Sequence, residues 1–210
     1  MISALTGMGL SAAAGLNAYI PFLIVALLAR FTDLVTLPSS YSWIESWWAI
    51  GVGAVLLLAE VFLDKIPAVD SVNDAIQTAV RPAMGGLMGA AMASAAQLDS
   101  STFMQENSWI GVVLGVVVAA LVHGTKMAAR PVINTATLGT GGAVVSTAED
   151  GTSVVLSFIA ILLPVLVIGV LILLVWAWFG IWAALRRRRR RRLAGAPSTD
   201  TAWLDRDLPR

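Results

Sequence analysis

Hydrophobic residues form five long stretches along the chain, and each is a candidate for a membrane-spanning helix. A hydrocarbon core about 30 Å thick needs about 20 helical residues to cross it. The stretches that reach or approach this length cover residues 2–29, 47–63, 82–98, 109–130 and 152–185. The last exceeds the bilayer by about half, so we expect it to tilt, to bend at Pro164 or to continue into water. The pattern predicts an all-α integral membrane protein, a bundle of about five transmembrane helices.

Two segments between these spans have patterns of their own. Residues 68–80 alternate polar and apolar positions at helical spacing, which predicts a short amphipathic helix, either solvated at the interface or facing the bundle. Residues 131–150 are rich in Gly and Thr and are unusually long for a loop without structure. We expect this second segment to re-enter the membrane or to line a substrate path.

Two helix starts follow from local capping chemistry. Ser42 with Glu45, and Ser146 with Glu149, fit the S-x-x-E capping box just ahead of an apolar run. Glu149 and Asp150 could alternatively be structural, because acidic side chains in a first turn favour the helix dipole.

Composition supports a membrane protein and divides the chain electrostatically. The sequence is 58% hydrophobic and 13% charged, with a mean hydropathy of +0.81. Residues 1–185 carry five basic and ten acidic side chains, whereas residues 186–210 carry nine Arg and three Asp. We therefore separate a transmembrane domain, 1–185, from an Arg-rich, flexible cytoplasmic tail, 186–210. The absence of Cys excludes disulfides, thiolate nucleophiles and cysteine metal sites.

Seven consecutive arginines follow the last span, and such positive flanks remain cytoplasmic. They occupy Arg186, Arg187, Arg188, Arg189, Arg190, Arg191 and Arg192. This predicts a multi-pass protein of the inner (plasma) membrane with its C-terminus inside. The run could also bind anionic lipid headgroups. No nucleic acid partner is expected, and self-association into a homo-oligomer stays open.

Ionisable and amide side chains at membrane depth are the informative positions, because leaving one in lipid costs about 3 kcal/mol. Asn17 precedes Pro21 by four residues, so its backbone carbonyl lacks the usual helical donor. This predicts a broken helix that could hold an ion or polar solute, or a simple proline kink with Asn17 bonded to a neighbouring helix. His123, Lys126 and Arg130 form a stripe that cannot face lipid.

We expect these polar groups to meet at one aqueous edge, either as an ion-pair network that locks the bundle or as a gate and binding site. The candidate ion- or substrate-binding residues are Asn17, Tyr19, Glu60, Asp64, Lys65, Asp70, Asn73, Asp74, Arg81, His123, Lys126, Arg130, Asn134, Ser146, Glu149 and Asp150. No catalytic residue, metal or cofactor is assigned.

Several motifs together resemble a known family. GLNAYIPFL at 15–23, DKIPAVD at 64–70, the H-x-x-K-x-x-x-R of 123–130 and VSTAED at 145–150 are similar, in this order, to a bacterial membrane family catalogued as domain of unknown function 4126. The resemblance covers roughly residues 4–165 and does not include the arginine run. It implies a multi-pass membrane domain and no particular activity.

Three functions compete at this point. The first is a small transporter or channel-like carrier of an ion or small polar solute. The second is an intramembrane enzyme on lipid-linked phosphates, with Asp70 and Asp74 as metal ligands and with Lys126 and Arg130 holding phosphate. The third is a structural or assembly protein held by its ion pairs. We favour the carrier, and expect no enzyme, because no protease or P-loop motif occurs and D-x-x-N-D stands without a second acidic motif.

Overall fold

The computed structural model describes residues 2–64, 67–95, 106–136 and 141–194. Within these ranges the chain is helical and has no strands. The α-helices are α1 (Ile2–Leu16), α2 (Tyr19–Phe31), α3 (Trp47–Leu63), α4 (Pro67–Ala93), α5 (Ser108–Ala136), α6 (Gly141–Leu162) and α7 (Leu166–Ala194), with a 3₁₀ helix at Ser39–Glu45 before α3.

The first predicted span is two helices, because the chain reverses direction at Asn17. The carbonyl of Gly15, at the end of α1, lies against Arg81, and Tyr19, at the start of α2, lies near Glu60. From this level both helices extend toward the opposite end of the bundle, where Arg30 donates to the Glu45 carbonyl. The expected helix break is therefore a tight hairpin.

Helix α3 begins at Trp47, and its cap differs from the sequence prediction. Ser46 accepts a hydrogen bond from the Ala49 N–H, whereas Ser42 and Glu45 lie inside the 3₁₀ helix. The capping box predicted for Ser42 and Glu45 is thus wrong. Any Ser with extended backbone just before a helix can cap it, and Ser46 is the one with that geometry.

The amphipathic segment and the third predicted span form one helix, α4. Pro82 lies inside it, so the separate short helix predicted for residues 68–80 is not observed. A proline removes one backbone hydrogen bond but need not end a helix whose sides are packed. Here α1 and α5 cover the glycine-rich side of α4, and the Ser11 hydroxyl donates to the Gly85 carbonyl at 2.7 Å.

Most of the Gly/Thr-rich segment, residues 131–150, is also helical. Helix α5 passes Pro131 and ends at Ala136, and α6 begins at Gly141, leaving only residues 137–140 outside the described part. The described residues of this segment are therefore helical rather than a loop, while re-entry into the membrane and the lining of a substrate path stay predictions. Ser146 and Glu149 lie inside α6, so the second capping box is wrong as well. Burial against other helices outweighs the weak helix propensity of Gly and Thr.

The last predicted span is a second hairpin, broken at Leu163–Val165 beside Pro164. A Cβ built on Gly9 would meet both Ala160 of α6 and Val167 of α7, so these helices meet where the chain turns. Further along α7, Leu174 packs against a cluster that includes Leu156 and Val122. Helix α7 thus runs in the direction opposite to α6, packing mainly against α1 and α5, and it continues through the arginine run to Ala194.

Two described helices are long and apolar enough to cross a membrane, namely Ser108–Arg130 and Gly142–Leu162. A third results if Ser39–Glu45 and Trp47–Leu63, which meet at 57°, count as one span. The five-span arrangement is not confirmed, because its first and last members each divide into two helices. We call one end of the bundle the charged end. Helices α1, α3 and α5 finish there, and α2, α4 and α6 begin there.

Candidate functional site

The charged end brings together polar side chains from α3, α4, α5, α6 and the α1–α2 turn. We call this set the charged cluster. It consists of Asn17, Glu60, Asp64, Asn73, Asp74, Arg81, His123, Lys126, Arg130, Ser146, Glu149 and Asp150. Helix ends converge here, so residues far apart in sequence become neighbours.

A fully buried ion pair forms the deepest part of the cluster. Arg81 is 0% exposed and Glu60 is 2% exposed, and Arg81 Nη2 donates to Glu60 Oε1 at 2.7 Å. No group in the described ranges forms a hydrogen bond with Glu60 Oε2 or Arg81 Nε. The pair is therefore neutral as a unit but incompletely satisfied, which is unusual for buried polar atoms.

His123 is positioned by both of its ring nitrogens. Arg81 Nη1 lies 3.3 Å from His123 Nδ1, and the Thr78 hydroxyl lies 3.1 Å from Nε2. Arginine can only donate, and the Thr78 hydroxyl donates its hydrogen to the Asp74 carbonyl, so these contacts fit a neutral ring with its proton on Nε2. His123 is thus a satisfied buried histidine that supports Arg81.

Asp64 is the centre of the outer layer, just beyond the end of α3. Its Oδ1 accepts from the Asn73 amide at 2.6 Å and its Oδ2 accepts from the Ser146 hydroxyl at 3.0 Å. Burial acts to raise the pKa of Asp64, but Lys126, these two hydrogen bonds and Arg130 together lower it below its ordinary value. Asp64 therefore stays ionised.

The two outer cations share their acidic partners. Lys126 Nζ lies 2.7 Å from Glu149 Oε2 and 3.7 Å from Asp64 Oδ2. Arg130 contacts Asp74 at 2.8 Å and both Asp64 and Glu149 at 3.6 Å. Each cation has a close partner and at least one alternative within 4 Å, so a small displacement exchanges one pair for another.

Asn17 joins the hairpin turn to α6. Its Oδ1 accepts from the backbone N–H groups of Tyr19 and Ile20, and its Nδ2 donates to Asp150 Oδ1 at 2.9 Å. The side chain therefore caps α2 and holds α6 at once, while Pro21 occupies the first turn, where it lacks only a free N–H. The predicted pairing of Asn17 with a bundle neighbour is confirmed, with Asp150 as the partner.

Charge is unbalanced across the described part of the cluster. Five carboxylates face three permanent cations, which leaves a formal charge of −2 with His123 neutral. Glu149, which pairs with Lys126, and Asp150 are only partly buried, whereas the other charged members are buried. The rim of the described cluster is therefore acidic.

Some predicted site residues are not placed by the structure. Lys65 lies outside the described residues, as do the side chains of Asp70 and Asn134. Asp74 and Arg130, which the enzyme hypothesis assigns to metal and phosphate, are bonded to each other. In the part of the chain with described coordinates, no group of His, Asp and Glu side chains could hold a metal ion.

Sequence reasoning missed two polar neighbours of the cluster. Gln77 is 3% exposed and interacts with the Tyr19 phenol, and Thr78 contacts His123. Gln77 falls on the polar stripe that begins at Asp70, so its spacing could have revealed it. Nothing in the sequence distinguishes Thr78 from an ordinary helix-surface threonine.

Comparison with known proteins gives one match. No curated protein and no solved structure is similar to the chain. A family described as a domain of unknown function, DUF4126, matches residues 4–184, which includes the whole charged cluster and most of α7. The chain therefore belongs to the DUF4126 family.

Proposed function

We propose that the protein is a small membrane carrier of an ion or small polar solute, with the charged cluster as its gate and binding site. The observation that carries this proposal is the sharing of acidic partners by Lys126 and Arg130, each with alternatives within 4 Å. A gate needs two arrangements of similar energy, and exchanging ion-pair partners supplies them without leaving a charge unpaired.

The helix break at Asn17 adds to this proposal. Carriers of ions and polar solutes often use interrupted helices whose ends meet at the binding site. Here the end of α1 and the start of α2 both lie at the charged cluster, and the Gly15 carbonyl lies 3.5 Å from Arg81 Nη1. A backbone carbonyl freed by the break thus contacts a buried charge directly.

The two hairpins also suggest how the chain is oriented. Leu174 of α7 packs near Val122, beside the cluster, and Arg186 lies twelve residues further on, about 18 Å along a helix. The arginine run would therefore extend beyond the charged end. Because arginine-rich flanks stay cytoplasmic, we place the charged end in the cytoplasm and the arginines against anionic headgroups of the plasma membrane. Lys126 and Arg130 then lie near the cytoplasmic side of the membrane, which positively charged residues favour.

A second function has support of its own. The deeply buried charges are paired, and such networks can hold helices in one arrangement without moving any solute. In that case the protein would be a structural or assembly component. The carrier and the structural protein differ in one respect, namely whether the pairs exchange.

Transport in proteoliposomes separates the two functions. We would measure counterflow of a panel of radiolabelled monovalent ions, phosphate, amino acids and organic acids. The carrier predicts saturable counterflow of at least one solute, lost in Asn17→Ala and Glu60→Gln and retained in Gly51→Ala, whose added methyl group meets nothing within 4 Å. A carried solute that both cluster variants transport normally would place the site elsewhere. Absence of counterflow across the panel would favour the structural protein.

A further inference from the structure

An apolar pocket opens on the side of the bundle next to the charged cluster. It lies between α2, α3 and α4 and has a volume of about 160 Å³. Its walls include Phe22, Trp48, Leu56 and Met84, and Tyr19 also lines it. A cavity of about 150 Å³ with apolar walls is large enough for benzene. The pocket therefore fits one ring or a short hydrocarbon chain.

The buried Glu60–Arg81 pair lies on helix faces that also carry walls of this pocket. Glu60 follows Leu56 by four residues on α3, and Arg81 precedes Met84 by three on α4, so each polar residue shares a helix face with a pocket wall. Tyr19 belongs to both regions, since its phenol interacts with Glu60, Gln77 and Arg81. Tyr19 therefore joins the apolar pocket to the buried pair.

Unpartnered polar atoms lie at this junction. The donor Arg81 Nε and the acceptors Glu60 Oε2 and Gln77 Oε1 have no hydrogen-bond partner within the described ranges, although all three residues are more than nine-tenths buried. A ligand with a polar head and an apolar body would match a site with apolar walls and such groups at one end.

Charge restricts what that polar head can be. Arg81 is fully buried, so removing its carboxylate partner without replacement would cost several kcal/mol. A ligand that takes the place of Glu60 on Arg81 must therefore bring one negative charge. Glu60 must then accept a proton, because the other two cations of the cluster, Lys126 and Arg130, already have close acidic partners of their own.

We propose that the pocket and Arg81 bind a small amphipathic carboxylate together with one proton. The ligand carboxylate replaces Glu60 on Arg81, the proton converts the Glu60 carboxylate to the acid, and the ring or short chain fills the pocket. The net charge of the site is unchanged. This inference rests on the proposed function and names its substrate class and coupling ion, which would make transport electroneutral.

Calorimetry with benzoate tests the inference on the purified full-length protein. Heats of binding measured at about pH 7.5 in two buffers of different ionisation enthalpy give the number of protons taken up. We expect saturable binding with uptake of about one proton, and binding at least about tenfold weaker for benzamide, which lacks the charge. Equal affinity for the two compounds, or no binding of benzoate, would overturn the proposal.

Variants separate the two halves of the site. Glu60→Gln should bind benzoate without proton uptake, since Gln is already neutral. Val52→Trp should weaken binding by about tenfold or more because Val52 lines the pocket. Val55→Trp on the same helix, exposed and outside the pocket lining, is the matched control. A folded Glu60→Gln protein that fails to bind, or still takes up a proton, would contradict the proposal.

The result is independent of the counterflow experiment. If another solute shows cluster-dependent counterflow but benzoate does not bind, the carrier stands and the substrate class is wrong. If benzoate binds as expected but no solute shows counterflow, the site is a binding site and the carrier function is wrong.

Discussion

Breaking the Glu60–Arg81 pair should destabilise the protein strongly, whereas removing both charges should not. The side chains of Glu60 and Arg81 are 1% and 0% exposed, and the two atoms that join them are 2.7 Å apart. Glu60→Met leaves a buried guanidinium without a counterion, which costs about 3 to 5 kcal/mol. At about 1.4 kcal/mol per factor of ten, the unfolding equilibrium shifts by roughly two to three and a half orders of magnitude.

The double variant Glu60→Met/Arg81→Met removes the desolvation penalty together with the pair. Replacing a buried ion pair with apolar residues of similar size is often neutral or stabilising. We therefore expect the double variant to lie within about 1 kcal/mol of the wild type. The coupling between the two positions should then be about as large as the sum of the two single losses.

Reversible unfolding in mixed detergent and dodecyl sulfate micelles measures this cycle. The eight tryptophans report unfolding by fluorescence, and Phe62→Met, on the exposed side of α3, serves as the control. A loss of less than about 1 kcal/mol in Glu60→Met would show that Arg81 does not need Glu60 as a counterion. A double variant whose loss of stability equals the sum of the two single losses would show that the two charges do not act as a pair.

Three further predictions follow from the packing and the cluster. Gly89→Ala should cost about 1 to 3 kcal/mol in the same unfolding assay because the new methyl group would meet the Gly111 carbonyl of α5, whereas Gly124→Ala, which meets nothing within 4 Å, should be neutral. Asn17→Ala should lose about 1 to 2 kcal/mol through the α2 cap and the bond to Asp150, and Asn17→Asp, which keeps the cap but opposes Asp150, should not restore this loss. The folded state holds the pKa of Asp64 below its value of about 3.9 in the unfolded chain. The ionised side chain therefore stabilises the fold fully above about pH 3.9, and this stabilisation is lost as the pH falls through the lower, folded-state pKa. Stability measured from pH 6 to pH 3 should therefore decline with a smaller slope in Asp64→Asn, and an unchanged slope would contradict the assignment.

The sequence was sufficient to predict which polar residues would meet. The free-energy cost of exposing a polar side chain to lipid is enough to predict that Glu60, His123, Lys126 and Arg130 face the protein interior. The ends of neighbouring spans then place them at one level with Asp64, Asp74 and Glu149. The predicted association at one edge is confirmed for the described members, while a role in transport stays a prediction.

The sequence did not show where the chain turns. Residues 2–29 and 152–185 read as continuous apolar runs, since hydropathy does not distinguish one long helix from two short antiparallel ones. The turn at Asn17 depends on a side chain that accepts two backbone hydrogen bonds, and the turn near Pro164 depends on packing against Gly9. Both are tertiary effects that local patterns do not record.

The sequence also could not show how deeply the charged cluster is buried. A stripe of Asp, Asn and Gln on residues 70–77 fits an interfacial helix as well as a buried one. Close contact of α4 with α5, through Gly85, Gly89, Gly111 and Gly115, draws this stripe inward. Gly85 and Gly89, and likewise Gly111 and Gly115, are four residues apart, which favours close helix packing, but this spacing does not show which helices meet.

Exchange of the ion pairs should open the charged end to water, and the accessibility of a single cysteine reports this opening. The native sequence has no Cys, so a single Gln77→Cys thiol, one turn before Arg81, reports on this site alone. Exposed Thr147→Cys and fully buried Ser157→Cys set the fast and slow limits of labelling by a membrane-impermeant maleimide applied to inverted vesicles. If the ion pairs exchange, the labelling rate of Gln77→Cys should lie between these limits and well above that of Ser157→Cys. A rate no higher than that of Ser157→Cys would show that the ion pairs stay closed to water.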